Sequence, residues 1–274
     1  MCLQAPARPV TAGGRCSLRS HVTPDFGQPP TAVPAVLAFP AACDTVELKA
    51  VLTEAEGRRA TASLGFDLGA GLSRQVYYLD TPCLELEAAG VIVRVRRSGD
   101  ARADVTMRLR PSDPAALDPG LRRHKGFTVE LDMIGDGFVC TASLKTKPDT
   151  TMVAEVLAGR TPPSTLFSPR QRRLFQTYAP PGVTLDGLAL FGPVLVRWVT
   201  GTARGWRHPL TAQLWEFPGE PVLELSSKVA AVRAAAAVAR WPSFLIRHQV
   251  VPRQARHTKS QTVLRHSTPV PARG

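Results

Sequence analysis

The chain has 274 residues, 44% of them hydrophobic, with a formal charge of +12 and a pI near 10.3. Such a chain can bury one large core or two small ones, and no apolar run reaches the roughly 18 residues that a membrane-spanning helix needs. The basic balance favours an anionic partner such as phosphate, nucleic acid or an acidic surface, while five scattered cysteines, none spaced Cys-x-x-Cys, argue against a disulfide framework or a zinc site.

Residues 1–42 are rich in Pro, Ala, Gly and Arg and follow no period, which predicts a poorly structured leader. They lack the ordered basic, apolar and small-residue blocks of a signal peptide, so a cytoplasmic protein is expected. Residues 43–265 read as one domain, and 266–274 as a flexible tail. The first strand runs over 44–52. There Thr45, Glu47 and Lys49 share one face and Val46 and Leu48 the other, because strand side chains alternate. Thr53 is placed to cap a helix through Leu64. Gln75 to Leu79 is the next strand, turned by Asp80-Thr81-Pro82. A helical stretch from Cys83 to Ala89 is stopped by Gly90. Strands follow over Val91 to Ser98 and Asp104 to Arg110, then a Pro-rich loop, then a strand over Phe127 to Ile134. Thr141 to Tyr178 reads as helical, with the basic run Arg170, Arg172 and Arg173 as a solvated helix face. Strands resume over Val194 to Val199, Thr211 to Phe217 and Val222 to Val229, giving about eight. The Ala-rich stretch Val229 to Arg240 predicts a helix that Pro242 ends or kinks, and Thr258 to Leu264 a last turn or two.

Five of these strands pair an apolar face with a strongly polar one. Arg94 and Arg96, then Arg108 and Arg110, are basic pairs. Glu130 and Asp132 form an acidic pair, and Glu224, Ser226 and Lys228 continue the pattern that Glu47 and Lys49 begin. An ordinary antiparallel sheet facing water also alternates, but sorting by sign suggests a site. Burying so many ions in a dry interior costs several kcal/mol each. The polar faces therefore point into a wet cavity whose wall packs outward against helices.

Thr45-Val46-Glu47-Leu48-Lys49, the block Tyr78-Leu79-Asp80-Thr81-Pro82 with Leu84 and Gly90 to Arg96, and Leu223-Glu224-Leu225-Ser226 together resemble motifs of the CYTH superfamily of triphosphate tunnel metalloenzymes. Leu185-Asp186-Gly187-Leu188 and His257-Thr258-Lys259 are similar to further family segments. The likeness spans residues 44 to about 265. It implies an α+β fold, a closed antiparallel eight-stranded barrel with flanking helices, acting as a metal-dependent triphosphatase. By the same resemblance Lys49, Arg94, Arg96, Arg108, Arg110 and Lys228 hold the phosphate chain. Glu47, Glu130, Asp132 and Glu224 hold Mg²⁺ or Mn²⁺, and Glu47, Lys49 and Glu130 take part in catalysis. Six bases and four acids leave the cavity at +2 and a divalent ion raises it to +4, close to the roughly four to five negative charges of a triphosphate. The expected partner is inorganic triphosphate, polyphosphate or an organic triphosphate, with hydrolysis favoured over cyclisation; no oligomeric state is implied.

The likeness departs from the family pattern where Thr45 replaces an acid, where Gln213 stands for an expected Glu, and where Val196 to Trp198 carries no acid pair. These departures keep open a binding module that grips phosphate without turning it over. A nucleic-acid binder rests on net charge alone, since the basic tail from Arg247 to Arg265 lacks the aromatic interleaving of a single-strand binder. The histidines His124, His208, His248, His257 and His266 are never spaced as metal ligands.

Overall fold

The computed structural model describes residues 42–99, 101–134, 137–217, 220–253 and 258–269. The expected leader, except Ala42, and His257 lie outside them, as do the last residues of the expected tail. The elements in order are β1 (Thr45–Thr53), α1 (Glu54–Ser63), β2 (Leu72–Asp80), α2 (Glu85–Ala88), β3 (Val91–Ser98), β4 (Arg102–Leu109), α3 (Pro119–Arg122), β5 (Phe127–Ile134), β6 (Gly137–Thr146), α4 (Thr150–Leu157), α5 (Pro169–Tyr178), β7 (Ala189–Ala203), β8 (Trp206–Glu216), β9 (Val222–Ala230), α6 (Ala234–Arg247) and α7 (Lys259–His266).

The strands close into a barrel in the order β1-β5-β6-β4-β3-β2-β7-β8-β9. Nine strands replace the expected eight, and the sheet is mixed rather than purely antiparallel: β1 runs parallel to β5 and antiparallel to β9. The two departures have one cause. A ring with an odd number of strands cannot alternate direction all the way round, so one neighbouring pair must be parallel. The additional strand is β6, whose first part forms a hairpin with β5 and which separates β5 from β4. It overlaps the stretch expected to be helical, and helix resumes only at α4 and α5. Of its inward residues, Thr141 and Ser143 are small and neutral and Lys145, near its end, is the one that is charged, so it lacks the repeated charge that marks its neighbours.

The outward faces supply the main core. Val46, Leu48, Ala50 and Leu52 of β1 pack in one apolar cluster with Val129 and Leu131 of β5, Val153 and Val156 of α4, Leu174 and Phe175 of α5, and Trp241 and Phe244 of α6. Helix α1 starts at the predicted cap. The Thr53 hydroxyl accepts from Glu56 N at 3.1 Å and Glu56 Oε2 accepts from Thr53 N at 3.0 Å, a capping box. Helix α6 runs through Pro242 to Arg247 rather than ending there. The exposed Arg170, Arg172 and Arg173 lie on the solvated face of α5, while its buried Gln171 donates to Val105 O and Leu144 O. No described helix is long and apolar enough to cross a membrane.

Candidate phosphate and metal site

The Asp-Thr-Pro turn sets the position of the basic strands. The buried Asp80 carboxylate accepts the backbone N–H groups of Thr81 at 2.7 Å, Leu86 at 2.9 Å and Glu87 at 2.9 Å, and so holds the start of α2. Gly90 follows with φ +74°, a conformation that favours glycine. A Cβ there would lie 2.8 Å from Arg110 O, and Gly90 O accepts from Arg110 N at 2.8 Å. Asp80 and Gly90 are therefore structural. They fix where β3 begins and how closely the end of β4 approaches it, and with that the placement of Arg94, Arg96 and Arg110.

Strand pairing puts the sequence-selected side chains on the inner face. Glu47 is opposite Asp132 on one side and Lys228 on the other, and Lys49 is opposite Ser226. Thr45 is opposite Glu130, Ile92 opposite Arg108, and Arg96 opposite Asp104. Directly opposed residues share a face, so Glu47, Lys49, Arg94, Arg96, Arg108, Glu130, Asp132, Glu224 and Lys228 all turn inward. Arg110, one residue past β4, joins them through Asp132.

Ion pairs then divide the charges. Lys49 Nζ lies 2.7 Å from Asp132 Oδ1 and 3.1 Å from Glu47 Oε2. Asp132 Oδ2 meets Arg110 Nη2 at 2.9 Å and accepts from Thr141 Oγ1 at 3.2 Å. Lys228, half-exposed at the rim, pairs with Glu130, and Lys259 Nζ reaches Glu224 Oε1 at 2.5 Å. Arg96 is held by Asp104 at 2.9 Å. Arg94 and Arg108 meet no carboxylate among the described residues, and the buried Nε of each has no hydrogen-bond partner. Such buried donors are uncommon in folded proteins and call for an acceptor.

The pKa shifts follow this division. Burial pushes the Arg94 guanidinium well below the usual arginine range, reinforced by repulsion from Arg108 and Arg96. Burial opposes the charge of Lys49 as well, but Asp132 and Glu47 outweigh it and hold Lys49 above the usual lysine range. Burial raises Asp132 and Glu47, and the attraction of Lys49 overcomes it in both, so each ends below the carboxylate range.

Glu47, Glu130 and Asp132 each offer an oxygen, and these atoms lie within 4.8 Å of one another. Three hard oxygen donors suit Mg²⁺ or Mn²⁺, and the Lys49 ammonium against two of them shows that the cluster accommodates a cation. Glu224 stands apart from this trio, engaged with Lys259.

Lys259, Arg74, Asp104 and Lys145, which pairs with Asp104 at 3.6 Å, are on this face and had no place in the expected site. Lys259 enters from α7 and lies over the Trp215 ring, 4.6 Å from its centroid. Arg74 donates to Gln213 Oε1 at 3.0 Å and sits over Trp198 at 5.6 Å, so Gln213 serves as a neutral partner where an acid was expected. Asp104 balances Arg96. The Thr-Lys segment similar to a family motif was the one available signal for Lys259; Arg74 and Asp104 had none. The interior also departs from an open, charge-lined tunnel. Val76, Tyr78, Ile92, Phe191, Val194, Val196 and Trp215 form a second buried apolar cluster with Val263 and Leu264 of α7, so one side of the barrel is filled.

The closed barrel that carries the inward arginines and the acidic trio has counterparts among solved structures. The fold is shared with a candidate adenylate cyclase of Bacillus halodurans, at TM-score 0.55 and 12% identity over 78% of this chain and 94% of that one. It is shared equally with a candidate adenylyl cyclase of Hippeastrum that has a dominant triphosphatase activity, at TM-score 0.57 and 14% identity over 81% and 95%. The likeness at this identity is one of fold, the closed barrel with its flanking helices. No family model and no curated protein matches the sequence.

Proposed function

We propose that the chain is a metal-dependent hydrolase of a triphosphate, inorganic or organic. The observation that carries this reading is the pair Arg94 and Arg108, each with a buried Nε that has no hydrogen-bond partner, on the same inner face of the barrel as a three-carboxylate cluster. Arginine's planar fork matches phosphate oxygens. Arg94 and Arg108 receive the phosphate chain, with Arg96 and Arg110 extending the grip at the cost of their present carboxylate partners. Lys228 acts from the rim. Glu47, Glu130 and Asp132 hold the divalent ion, which draws charge from the phosphoryl oxygens.

In the reaction a water oxygen bonds to the terminal phosphorus as the bond from that phosphorus to its bridging oxygen breaks. Diphosphate, or the organic diphosphate, leaves with the bonding pair, and the water proton passes to solvent or a carboxylate. Lys49, held between Glu47 and Asp132, lies within reach of charge developing on the phosphate chain. The resemblance of its motifs to the CYTH superfamily, and the fold shared with a Hippeastrum protein that has triphosphatase activity, support the reading. The test is orthophosphate release from inorganic triphosphate and a panel of organic triphosphates, with and without Mn²⁺ or Mg²⁺. Metal-dependent release is expected, and its absence at every metal concentration overturns the hydrolase.

A second reading, a phosphate-binding module without turnover, is favoured by the complete pairing of Glu47, Glu130, Asp132 and Glu224 with cations of the chain itself. Tight triphosphate binding without release identifies it.

A further inference from the structure

The acidic trio is already occupied by cations belonging to the chain. Lys49 bridges Asp132 and Glu47, Arg110 and Thr141 engage the second Asp132 oxygen, and Lys228 engages Glu130. Neither Asp132 oxygen is left free of a donor. A divalent ion entering between Glu47, Glu130 and Asp132 meets the Lys49 ammonium in contact with two of its three ligands. The half-buried Arg94 and Arg108, by contrast, meet no carboxylate among the described residues and each has a buried Nε–H without a partner, so they attract an anion while these ion pairs are intact.

We infer that Lys49 is a resident counter-ion that keeps the divalent ion out until an oxyanion is bound, so that metal loading is an exchange of cations. This rests on the reading of the barrel interior as a phosphate site. An anion on Arg94 and Arg108 brings negative charge toward Lys49, which donates to Asp132, and Arg110, which is ion-paired with Asp132 but has Nε and Nη2 free of hydrogen bonds, and both can turn to it. The released carboxylates are then available to the metal. By linkage, the anion raises metal affinity by the same factor that the metal raises anion affinity. Without the anion, the ion must compete with an ammonium held by two buried carboxylates.

The test is Mn²⁺ binding to the full chain, measured by calorimetry in phosphate-free buffer, for wild type, Lys49→Met and Lys228→Ala. Lys49→Met is expected to bind Mn²⁺ at least tenfold more tightly than wild type, and Lys228→Ala about threefold more tightly. Should Lys49→Met not fold, Lys228→Ala carries the comparison, because its half-exposed rim position tolerates truncation. Sulfate serves as the oxyanion, with free Mn²⁺ corrected for its sulfate complex. It is expected to tighten Mn²⁺ binding several-fold in wild type and in Lys228→Ala, and by less than twofold in Lys49→Met. Equal Mn²⁺ affinity in wild type and both variants overturns the inference, as does a sulfate effect that survives intact in Lys49→Met. Failure here is separable from failure of the hydrolase. Wild type that hydrolyses triphosphate yet shows no dependence on Lys49 loses only the exchange, whereas a Lys49-dependent Mn²⁺ affinity without hydrolysis supports the exchange and removes the enzyme.

Discussion

The two sides of the barrel interior are built on opposite principles. Along β1, β5, β4 and β9 the inner face carries carboxylates, lysines and arginines tied in cross-strand ion pairs. Along β2, β7 and β8 it carries Val76, Tyr78, Phe191, Val194, Val196 and Trp215, and α7 lays Val263 and Leu264 against them. The apolar side stabilises by removing surface from water, roughly 25 cal/mol per Å². The charged side gains little net energy from its buried pairs, because desolvation consumes most of the attraction. One side holds the barrel's shape while the other carries the chemistry, and Lys259 joins them by lying over Trp215 and reaching Glu224.

The largest effect that can break this comparison lies on the apolar side. Trp215 is 2% exposed, stacks on Phe217 with centroids 6.0 Å apart and supports Lys259. Trp215→Ala is expected to lower unfolding free energy by about 3–5 kcal/mol, the usual cost of emptying a buried aromatic site, as read from urea denaturation. A loss below 1 kcal/mol would mean that this side is loosely filled and that the barrel is held from outside alone.

On the charged side, removing a single unpaired cation reverses the sign. Arg94→Ala is expected to weaken triphosphate binding by about 1.5–3 kcal/mol, the worth of a charged hydrogen bond. The ligand-free protein should melt at the same temperature or higher, because burial and the neighbouring Arg108 and Arg96 both oppose this charge. Thermal melts with and without triphosphate separate the effects. Equal ligand-induced shifts in wild type and variant would take Arg94 out of the site.

The same division explains what could be read in advance. Strands β1, β3, β4, β5 and β9 were legible because charge alternates with aliphatic residues, and strand pairing puts those charges on one face. Strand β6 was not, because Thr141 and Ser143 are neutral and the single Lys145 near its end sets no alternation. The filling of the interior was hidden as well. In β2, Val76 and Tyr78 point inward while Tyr77 and Leu79 point outward, so both faces look like core and the pattern cannot say which one α7 covers. Lys259 sits in a basic tail among arginines and histidines, and only the docking of α7 sets it against Glu224. Parallel pairing follows from the strand count, which could not be known without β6.

At the junction of the two sides a smaller, pH-dependent effect is expected. Burial lowers the Lys259 pKa to about 8 despite the attraction of Glu224. Its folded value lies below the unfolded one of about 10.4, so between these values the unfolded chain holds more protons and stability rises with pH. Phosphate affinity should fall over the same range, as one cation of the site loses its charge. Urea melts and triphosphate titrations from pH 7 to 10 should show both trends, and Lys259→Met should flatten them. Identical slopes in the variant would assign them to other groups.

The smallest effect concerns Thr45, where the first strand departs from the motif it resembles. Its hydroxyl is buried without a partner and its residue is paired with Glu130 across β1 and β5. A carboxylate there would face the same interior as Glu47, and divalent affinity rises with the number of carboxylate ligands. It would also stand beside Glu130, and like charges side by side repel unless a cation lies between them. Thr45→Glu should therefore be slightly less stable than wild type without metal and regain that loss as Mn²⁺ is added, with affinity a few-fold tighter. Melting temperature against Mn²⁺ concentration reads both parts at once. If the added acid destabilises and Mn²⁺ restores nothing, Lys228 has supplied the counter-charge instead. The charged side of the barrel would then be balanced by its own lysines, with a divalent ion as a competitor for their places rather than a missing member of the set.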